Sequence, residues 1–331
     1  MRSERPLVSV LMPVRNVKDA YLTLSIESIL SQTYKDIEFI IVDDGSTDDT
    51  QEIVNRYAAK DPRICLLVNE TNIGPGASAN KAIRVAKGKY IARQDGDDIS
   101  MPERISRQVE YLETHPHIDL LATRAMQIDQ FGRRMSATPF PDNTELISYR
   151  LIAGDNCLAQ PSIMFRNQLG LFYRDKFYYS EDYDFYLRVL INNRSIACLN
   201  EVFLCCRYPT DEPFARYSRR FFYVLFRELA KKYYEMHIKN GQDSYAQFET
   251  QDIMGINVET TTEKEHLSLL IRIAIGGNYL PEARRIIKRY IRTHGFHPMY
   301  VMLWLSTFIG RHAHQRLRRL VKRGQVYAPW H

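Results

Sequence analysis

The first hundred residues alternate between short apolar runs and stretches in which apolar residues recur at helical spacing. Leu22, Ile26 and Ile29, for example, fall on one helical face. The run at 37–42 is almost entirely apolar, which is typical of a strand buried on both faces of a parallel sheet. This alternation predicts repeated strand–helix units. We expect four strands in this region, at 8–14, 37–42, 64–68 and 90–94.

Farther along, the pattern mixes strands with helices and then becomes wholly helical after residue 215. Ser100 and Glu103 have the spacing of a capping box, which predicts a helix that runs to about Thr114. Ser180 is expected to begin another helix, with Glu181 in its first turn. The other predicted elements are two strands in 119–141 with a turn at 130–132, a helix at 144–151, strands at 160–166 and 202–208, and a helix hairpin at 265–294.

These elements predict an α/β fold, in which a mostly parallel sheet flanked by helices precedes an α-helical C-terminal extension. The length of 331 residues allows a large domain with an appendage. A content of 45% apolar and 25% charged residues excludes collagen-like, coiled-coil and disordered chains. The net charge of +6 conceals two regions, because residues 1–214 carry −5 and residues 215–331 carry +11. We predict a domain boundary between them.

The five cysteines form no C-x-x-C pair and no disulfide-dense pattern, so we expect a reducing, cytoplasmic compartment. We expect no secretion signal, and no apolar run reaches the roughly 20 residues of a transmembrane helix. The longest nearly apolar run, at 299–310, is followed by six Lys and Arg residues and no acid in 311–323.

Two interpretations of residues 299–323 remain open. The segment either contacts an anionic membrane surface as a peripheral, inner-face attachment, or forms a solvated basic helix that packs on the main domain. Nucleic acid is not an expected partner, because aromatic residues are not interleaved with the basic ones.

A pair of carboxylates lies where a parallel sheet presents its ligands, at the end of a predicted strand. Asp95 and Asp97 are two residues apart on an extended chain, so they project to the same side. Hard oxygen ligands in this arrangement suit Mg²⁺ or Mn²⁺ and leave room for phosphate oxygens. A solvated acidic turn is the alternative, but Asp98 adds a third carboxylate, and their repulsion favours a bound cation.

A second acidic pair is Glu181-Asp182, which can simply complement the dipole of the helix it begins. The functional alternative is a general base that deprotonates an attacking hydroxyl. Near the sheet edge, Asp43 is either a turn residue or an acceptor for a nucleotide-base N–H, and Arg15, Lys81 and Arg93 are candidates for phosphate contacts.

Residues 74–79 formally match the dinucleotide fingerprint G-x-G-x-x-A. The match is weak, because residues 69–73 separate the glycines from their strand and Pro75 stiffens the pair. We expect these residues to form either a flexible segment that approaches a ligand or a loop with no binding role.

Five ordered motifs together resemble glycosyltransferase family 2, the inverting enzymes of the GT-A fold. The resemblance covers about residues 6–210 and implies a GT-A catalytic domain over 1–214, followed by the basic α-helical extension over 215–331. The motifs are VSVLMPVRN at 8–16, IVDDGSTD at 41–48, NIGPGASAN at 72–80, YIARQDGDDISMPER at 90–104 and ED at 181–182.

The resemblance also implies roles for individual residues. Asp182 is expected to be the catalytic base, and Asp97 to bind Mn²⁺ or Mg²⁺ directly, with Asp95 and Asp98 completing the metal site. Pro13 and Val14 are expected to hold the nucleotide base together with Asp43. The full set of predicted nucleotide-contacting residues is Pro13, Val14, Arg15, Asp43, Asn72, Lys81, Arg93, Asp95 and Gly96.

The chain departs from the family pattern at three places. Gly96 replaces the usual Ala of the A-D-D run, and Ala79 stands where many members have Arg. The second change makes Lys81 or Arg93 the expected phosphate contact. Residues 204–208 lack the Q-x-x-R-W of processive synthases, so we expect one sugar to be transferred per encounter.

The function implied is that of an inverting, metal-dependent glycosyltransferase. It would move one sugar from a nucleoside diphosphate donor, with UDP favoured, to the hydroxyl of a glycan or a lipid-linked acceptor in surface polysaccharide or glycolipid assembly. Two alternatives remain: a catalytically inactive GT-A scaffold that binds nucleotide, and a nucleotidyltransferase or NAD enzyme on a related fold.

Overall fold

The computed structural model describes residues 6–208, 213–277 and 279–308. Its strands are β1 Val8–Val14, β2 Ile37–Asp44, β3 Ile64–Asn69, β4 Tyr90–Arg93, β5 Ile99–Ser100, β6 Leu120–Ile128, β7 Arg134–Ala137, β8 Met164–Arg166 and β9 Ile196–Arg207. Its helices are α1 Asp19–Leu30, α2 Thr50–Ala58, α3 Pro75–Val85, α4 Arg104–Thr114, α5 Thr144–Ala153, α6 Glu181–Ile191, α7 Pro213–Asn240, α8 Thr250–Met254, α9 Lys264–Gly276, α10 Leu280–His294 and α11 Pro298–Ser306.

The described residues form two compact units. The first comprises residues 6–208 and 229–246, and the second comprises 213–228 and 247–308. Helix α7 contributes to both. The division after residue 214 that the charge pattern suggests stays a prediction.

The first unit is built on a mixed sheet with the strand order β3-β2-β1-β4-β8-β6-β9-β5, with β7 paired to β6. Strands β3, β2, β1 and β4 are parallel to one another, as are β6 and β9, whereas β8 runs antiparallel to both of its neighbours. The parallel part therefore coincides with the strand–helix repeats of the first hundred residues. Its core lies around Phe39, Tyr90 and Met164, which are almost completely buried.

The second unit has its own apolar core between α9 and α10. Leu267, Leu270 and Ile287 are completely buried there, together with Phe221 from α7. The helix hairpin expected at 265–294 is thus present. No described helix of the chain has the length and apolar character needed to cross a membrane. The basic residues of 311–323 lie outside the described part of the chain.

Two local predictions were wrong. The capping box at Ser100 does not form: Ser100 belongs to β5, its hydroxyl donates to Gln94 Oε1, and α4 begins only at Arg104. The strand expected at 160–166 is confined to β8, because Gln160–Ser162 form a short 3₁₀ helix. Pro161 has no N–H to donate to a neighbouring strand, which disfavours an interior strand position there.

A buried arginine joins α4 to the sheet. The Arg104 guanidinium is fully buried and donates to the carbonyl oxygens of Arg93 and Pro161. Burial lowers its pKa to about 10, although Asp98 and Asp95 oppose that shift. The carbonyls that it satisfies belong to the end of β4 and to the segment before β8, so Arg104 fixes the spacing of these two strands.

We expect Arg104→Lys to lower the free energy of unfolding by about 2 kcal/mol, because an ammonium cannot span both carbonyls and leaves a buried acceptor unpaired. Urea unfolding followed by circular dichroism measures this. Arg107→Lys on the exposed face of α4 is the control, since its ion pair with Glu110 is solvent-exposed and the change should stay within about 0.5 kcal/mol. Equal midpoints for the two variants would contradict the assignment.

Candidate active site

The carboxyl ends of the parallel strands bring the predicted nucleotide-contacting residues to one edge of the sheet. Val14, at the end of β1, is the register partner of Asp43, and Pro13 is the partner of Val42. Asp43 is buried, and its Oδ1 accepts a hydrogen bond from the Ser46 amide at 3.2 Å. Arg15 follows β1 and is exposed. Pro13, Val14 and Asp43 thus lie side by side, as a shared contact with one ligand requires.

Asp44 organises the glycine-containing loop that lies next to this edge. Its Oδ1 accepts from the Ile73 amide and its Oδ2 from the Gly74 amide, both at 2.9 Å. Gly74 has a φ of 93°, in the left-handed region that favours glycine. The Asn72 amide group donates to the Tyr178 hydroxyl at 2.9 Å. A carboxylate that accepts two loop amides is a structural clamp, and sequence reasoning did not single it out.

The two candidate phosphate-binding cations differ in their surroundings. The Lys81 ammonium donates to the Val68 carbonyl at 2.7 Å and to Asn69 Oδ1 at 2.9 Å, so it already braces the end of β3. Arg93 is only 2% exposed, and its Nη2 lies 3.2 Å from Asp95 Oδ1. Its Nε and Nη1 have no hydrogen-bond partner among the described residues. Arg93 is therefore a buried cation that keeps two donor nitrogens for a ligand.

Gln94 shapes the turn that carries the aspartates. It is completely buried, and its amide group donates to the carbonyls of Asp95 at 3.1 Å and Asp98 at 2.9 Å. Gly96 lies against β1, where an added Cβ would come within 2.8 Å of Val14 Cγ1. The glycine that replaces the usual alanine thus permits close approach of the turn to the strand. Gln94 was not recognised from the sequence, since an isolated glutamine carries no motif.

The three aspartates of the turn are not equivalent. Both oxygens of Asp98 are engaged by β9: Oδ1 accepts from the Arg207 amide at 2.7 Å, and Oδ2 from the Cys206 thiol at 3.1 Å. Asp95 and Asp97 remain partly exposed. Burial, and then the charge of Asp95, raise the pKa of Asp97 to about 6. Asp98 thus anchors the turn, while the repelling pair Asp95 and Asp97 is left for a ligand.

This pair fits a divalent cation by the chemistry of its donors. In the described part of the chain, no group of three or more His, Cys, Asp or Glu side chains is arranged to hold a metal ion by itself. Mg²⁺ and similar hard cations commonly use only one or two protein carboxylates and take their other ligands from water and substrate phosphates. Asp95 and Asp97 supply that minimal set, and a cation would relieve their repulsion.

The second acidic pair begins α6. Asp182 Oδ2 accepts from the Asn156 amide group at 2.7 Å, and Glu181 Oε1 accepts from Gln160 at 3.3 Å. Burial, followed by the charge of Asp182, raises the pKa of Glu181 to about 8. Burial also raises the pKa of Asp182, and the charge of Asp95 adds to that shift. Asp95 and Asp182, which are far apart in the sequence, therefore lie within electrostatic reach of one another.

Asp184 is the other acid in the first turn of α6, and the structure gives it a structural environment. It is buried and forms ion pairs with Arg174 at 3.3 Å and Arg188 at 2.8 Å. Because both arginines stabilise its charge, the Asp184 carboxylate is a poor proton acceptor. Asp182 rather than Asp184 is therefore the candidate base in this turn.

The comparisons with known proteins place the chain in a family. The model of glycosyl transferase family 2 matches residues 9–178. The chain is 38% identical over 213 residues to the uncharacterized glycosyltransferase MJ1057 of Methanocaldococcus jannaschii. The aligned residues cover 63% of this chain and 73% of that protein. The chain therefore belongs to glycosyl transferase family 2, and the resemblance stated from its motifs is confirmed.

Two further similarities are informative. The chain is 45% identical over 108 residues to the UDP-Glc:alpha-D-GlcNAc-diphosphoundecaprenol beta-1,3-glucosyltransferase WfaP of Escherichia coli, covering 33% of this chain and 42% of that protein. Mannosyltransferase PcManGT of Pyrobaculum calidifontis, solved with GDP-Man and Mn²⁺, superposes with a TM-score of 0.57 at 16% identity, over 96% of this chain and 84% of that one. The predicted fold, an α/β sheet flanked by helices with a helical C-terminal region, is confirmed.

The raised pKa of Glu181 predicts a pH-dependent stability. Its usual pKa is 4.5, and the folded value is about 8. The folded state thus holds the proton more tightly, so the cost of ionising Glu181 is absent below about pH 4 and grows as the pH rises toward 8. Without added metal, wild-type protein should lose more thermal stability between about pH 5 and pH 9 than Glu181→Gln.

Thermal denaturation in EDTA across that pH range measures the difference. Glu52→Gln is the matched control, because Glu52 also lies in the first turn of a helix, α2, but is exposed. Its curve should run parallel to that of the wild type. Parallel curves for Glu181→Gln as well would contradict the raised pKa.

Proposed function

We propose that this protein is an inverting, metal-dependent glycosyltransferase that transfers one sugar from a nucleoside diphosphate donor to an acceptor hydroxyl. The observation that carries the proposal is the proximity of Asp182 to Asp95, which is close enough to raise the Asp182 pKa. A candidate base and a candidate diphosphate-binding residue thus interact electrostatically. Inversion in a single displacement requires that arrangement, with the base and the leaving group on opposite sides of the sugar.

The division of labour between Glu181 and Asp182 follows from their surroundings. Glu181, with a pKa of about 8, holds its proton at neutral pH. Asp182 accepts a hydrogen bond from Asn156, which favours its ionised form. Neighbouring carboxyls in different environments can take different roles, and the hydrogen bond from Asn156 supports the base role of Asp182, which must be ionised to act as a base. Asp182 therefore accepts the proton of the acceptor hydroxyl.

On the donor side, Asp43 accepts from the nucleotide base, Asp95 positions the ribose and diphosphate, and Arg93 donates to a phosphate oxygen. Asp95 and Asp97 would hold Mn²⁺ or Mg²⁺, and the cation would supply positive charge to offset that of the diphosphate. We favour UDP because of the similarity to WfaP, whose name contains UDP-Glc. The same name contains a diphosphoundecaprenol acceptor, which supports a lipid-linked acceptor in surface polysaccharide or glycolipid assembly.

The catalytic assignment predicts separable effects of two substitutions. Asp182→Asn should lower donor turnover about 1,000-fold or more while nucleotide affinity stays within about threefold, because it removes only the base. Asp97→Ala should weaken Mn²⁺-dependent nucleotide binding as well as turnover. A screen of UDP-glucose, UDP-N-acetylglucosamine and GDP-mannose for hydrolysis, together with calorimetric titration of the nucleotide, measures both properties.

Asp36→Asn is the control for this experiment, because Asp36 is exposed just before β2 and so lies at the opposite edge of the sheet. It should behave as the wild type. Normal turnover in both site variants would overturn the assignment. Nucleotide binding by a wild-type protein that turns over no donor would instead favour the inactive scaffold.

We also propose that the second unit contacts an anionic membrane surface. Met302, Leu305 and Phe308 are each at least half exposed. Next to them, α10 carries exposed basic residues at 285, 288 and 292, which share one helical face. The Arg284 guanidinium lies 4.6 Å from the Phe308 ring, so the basic and apolar residues adjoin. An apolar patch beside cations suits an interface of acidic headgroups.

The double variant Leu305→Ser/Phe308→Ser should reduce binding to vesicles of phosphatidylglycerol and phosphatidylcholine about tenfold or more, because two apolar side chains no longer enter the interface. Co-sedimentation measures the bound fraction. Phe131→Ser is the control, since Phe131 is 72% exposed in the turn between β6 and β7 of the first unit. Equal sedimentation of all three proteins would refute the proposal.

A further inference from the structure

Tyr186 is a buried tyrosine whose hydroxyl has no partner. It lies four positions after Asp182 in α6, so the two side chains share one face of the helix. The residue is 0% exposed, and its hydroxyl makes no hydrogen bond with the described residues. Asp182, Arg93 and Glu181 all act electrostatically on it. The hydroxyl therefore lies within electrostatic reach of these groups and of the Tyr173 hydroxyl.

Arg93 contributes unused donors to the same place. Its Nη2 contacts Asp95, but its Nε and Nη1 have no partner among the described residues, although the side chain is 2% exposed. The positive charge of Arg93 opposes the rise in the pKa of Glu181 that burial causes. This arginine thus contacts the proposed diphosphate-binding aspartate and lies within electrostatic reach of Glu181 and of the Tyr186 hydroxyl.

Unpaired buried polar atoms in such a cluster call for an explanation. A buried donor or acceptor without a partner costs about 1–3 kcal/mol, and native proteins keep few of them. If these polar groups served folding alone, apolar side chains in their place would give a more stable protein, because no buried polar atom would be left unpaired. The Tyr173 hydroxyl is a further buried group without a hydrogen-bond partner among the described residues, and it interacts electrostatically with Tyr186. Such unpaired groups around a candidate base indicate that a ligand supplies the missing partners.

The chemistry of these groups restricts the ligand. A guanidinium only donates hydrogen bonds, whereas a phenol hydroxyl both donates and accepts, so together they match a sugar hydroxyl. The acids Glu181 and Asp182 disfavour a second anion beyond the donor diphosphate that Asp95 and Arg93 are proposed to contact. Because Arg93 also contacts Asp95, whose proposed partner is the donor diphosphate, the sugar attached to that diphosphate is the one within reach.

We propose that Tyr186 and Arg93 form a subsite that binds a hydroxyl of the donor sugar. This inference rests on the proposed function and adds to it the residues that distinguish a nucleotide sugar from the bare nucleotide. The Tyr186 hydroxyl is a specificity-determining group: it contributes nothing to the unliganded fold and acts only when the sugar is bound.

Tyr186→Phe tests the subsite through two independent properties. The variant should be at least as thermally stable as the wild type without ligand, because it removes an unpaired buried hydroxyl. It should bind the nucleoside diphosphate with wild-type affinity, yet bind the nucleotide sugar and hydrolyse it about 10- to 100-fold less well. Melting temperature, calorimetry with UDP and with the sugar donor selected in the screen, and hydrolysis rates provide the readouts.

Tyr183→Phe is the matched control on the same helix. Tyr183 is also completely buried, but its hydroxyl donates to the Leu151 carbonyl at 2.5 Å. This variant should lose thermal stability and keep wild-type affinity for the nucleotide sugar. The pair of variants thus separates a structural hydroxyl from a ligand-binding one.

Each outcome decides the matter. Wild-type binding and hydrolysis in Tyr186→Phe would overturn the subsite while leaving the transferase proposal intact, as would a loss of stability equal to that of Tyr183→Phe. An equal loss of affinity for UDP and for the sugar donor would also overturn it, since the hydroxyl would then serve the nucleotide. A wild-type protein that binds and hydrolyses none of the three donors would reject the proposed function itself.

Discussion

The repulsion among carboxylates in one site is the constraint around which the first unit is organised. Asp95, Asp97 and Asp98 share a turn, and Glu181 and Asp182 face them from α6. Without compensation, so many negative charges in a partly buried place would oppose folding. The protein limits this repulsion with bound protons, buried arginines and main-chain amides. Asp95 keeps one contact with Arg93, and Asp97 lies beside it for a cation from outside to neutralise.

Each compensating contact also holds a functional group in position. Arg207 and Cys206 hold the Asp98 carboxylate and so fix the position of the turn. The Gln94 amide group donates to two main-chain carbonyls of the same turn. Asn156 stabilises the charge of Asp182, and Glu181 keeps its proton. The remaining imbalance, two repelling aspartates and an arginine with free donors, matches a metal, a diphosphate and a sugar. Binding of the donor then completes interactions that the folded protein leaves unpaired.

Much of this arrangement could be predicted from the sequence because it is local. The strand at Val8–Val14 and the position of Asp95 at a strand end follow from periodicity and spacing. The capping box at Ser100 failed for the opposite reason: pairing of β5 with the distant β9 decided its conformation. The contacts of Asp44 and Gln94 were not predicted, because they depend on partners that the fold brings together. Spacing along the chain does not reveal such partners.

The central claim is that the acidic turn binds a cation and a diphosphate together. Calorimetric titration of the wild-type protein with UDP, in the presence of Mn²⁺ and in EDTA, tests this claim most directly. We predict that Mn²⁺ strengthens UDP binding about tenfold or more and, by reciprocity, that UDP strengthens Mn²⁺ binding by the same factor. Equal UDP affinity with and without the metal would contradict it, because Asp95 and Asp97 would then play no part in holding the diphosphate.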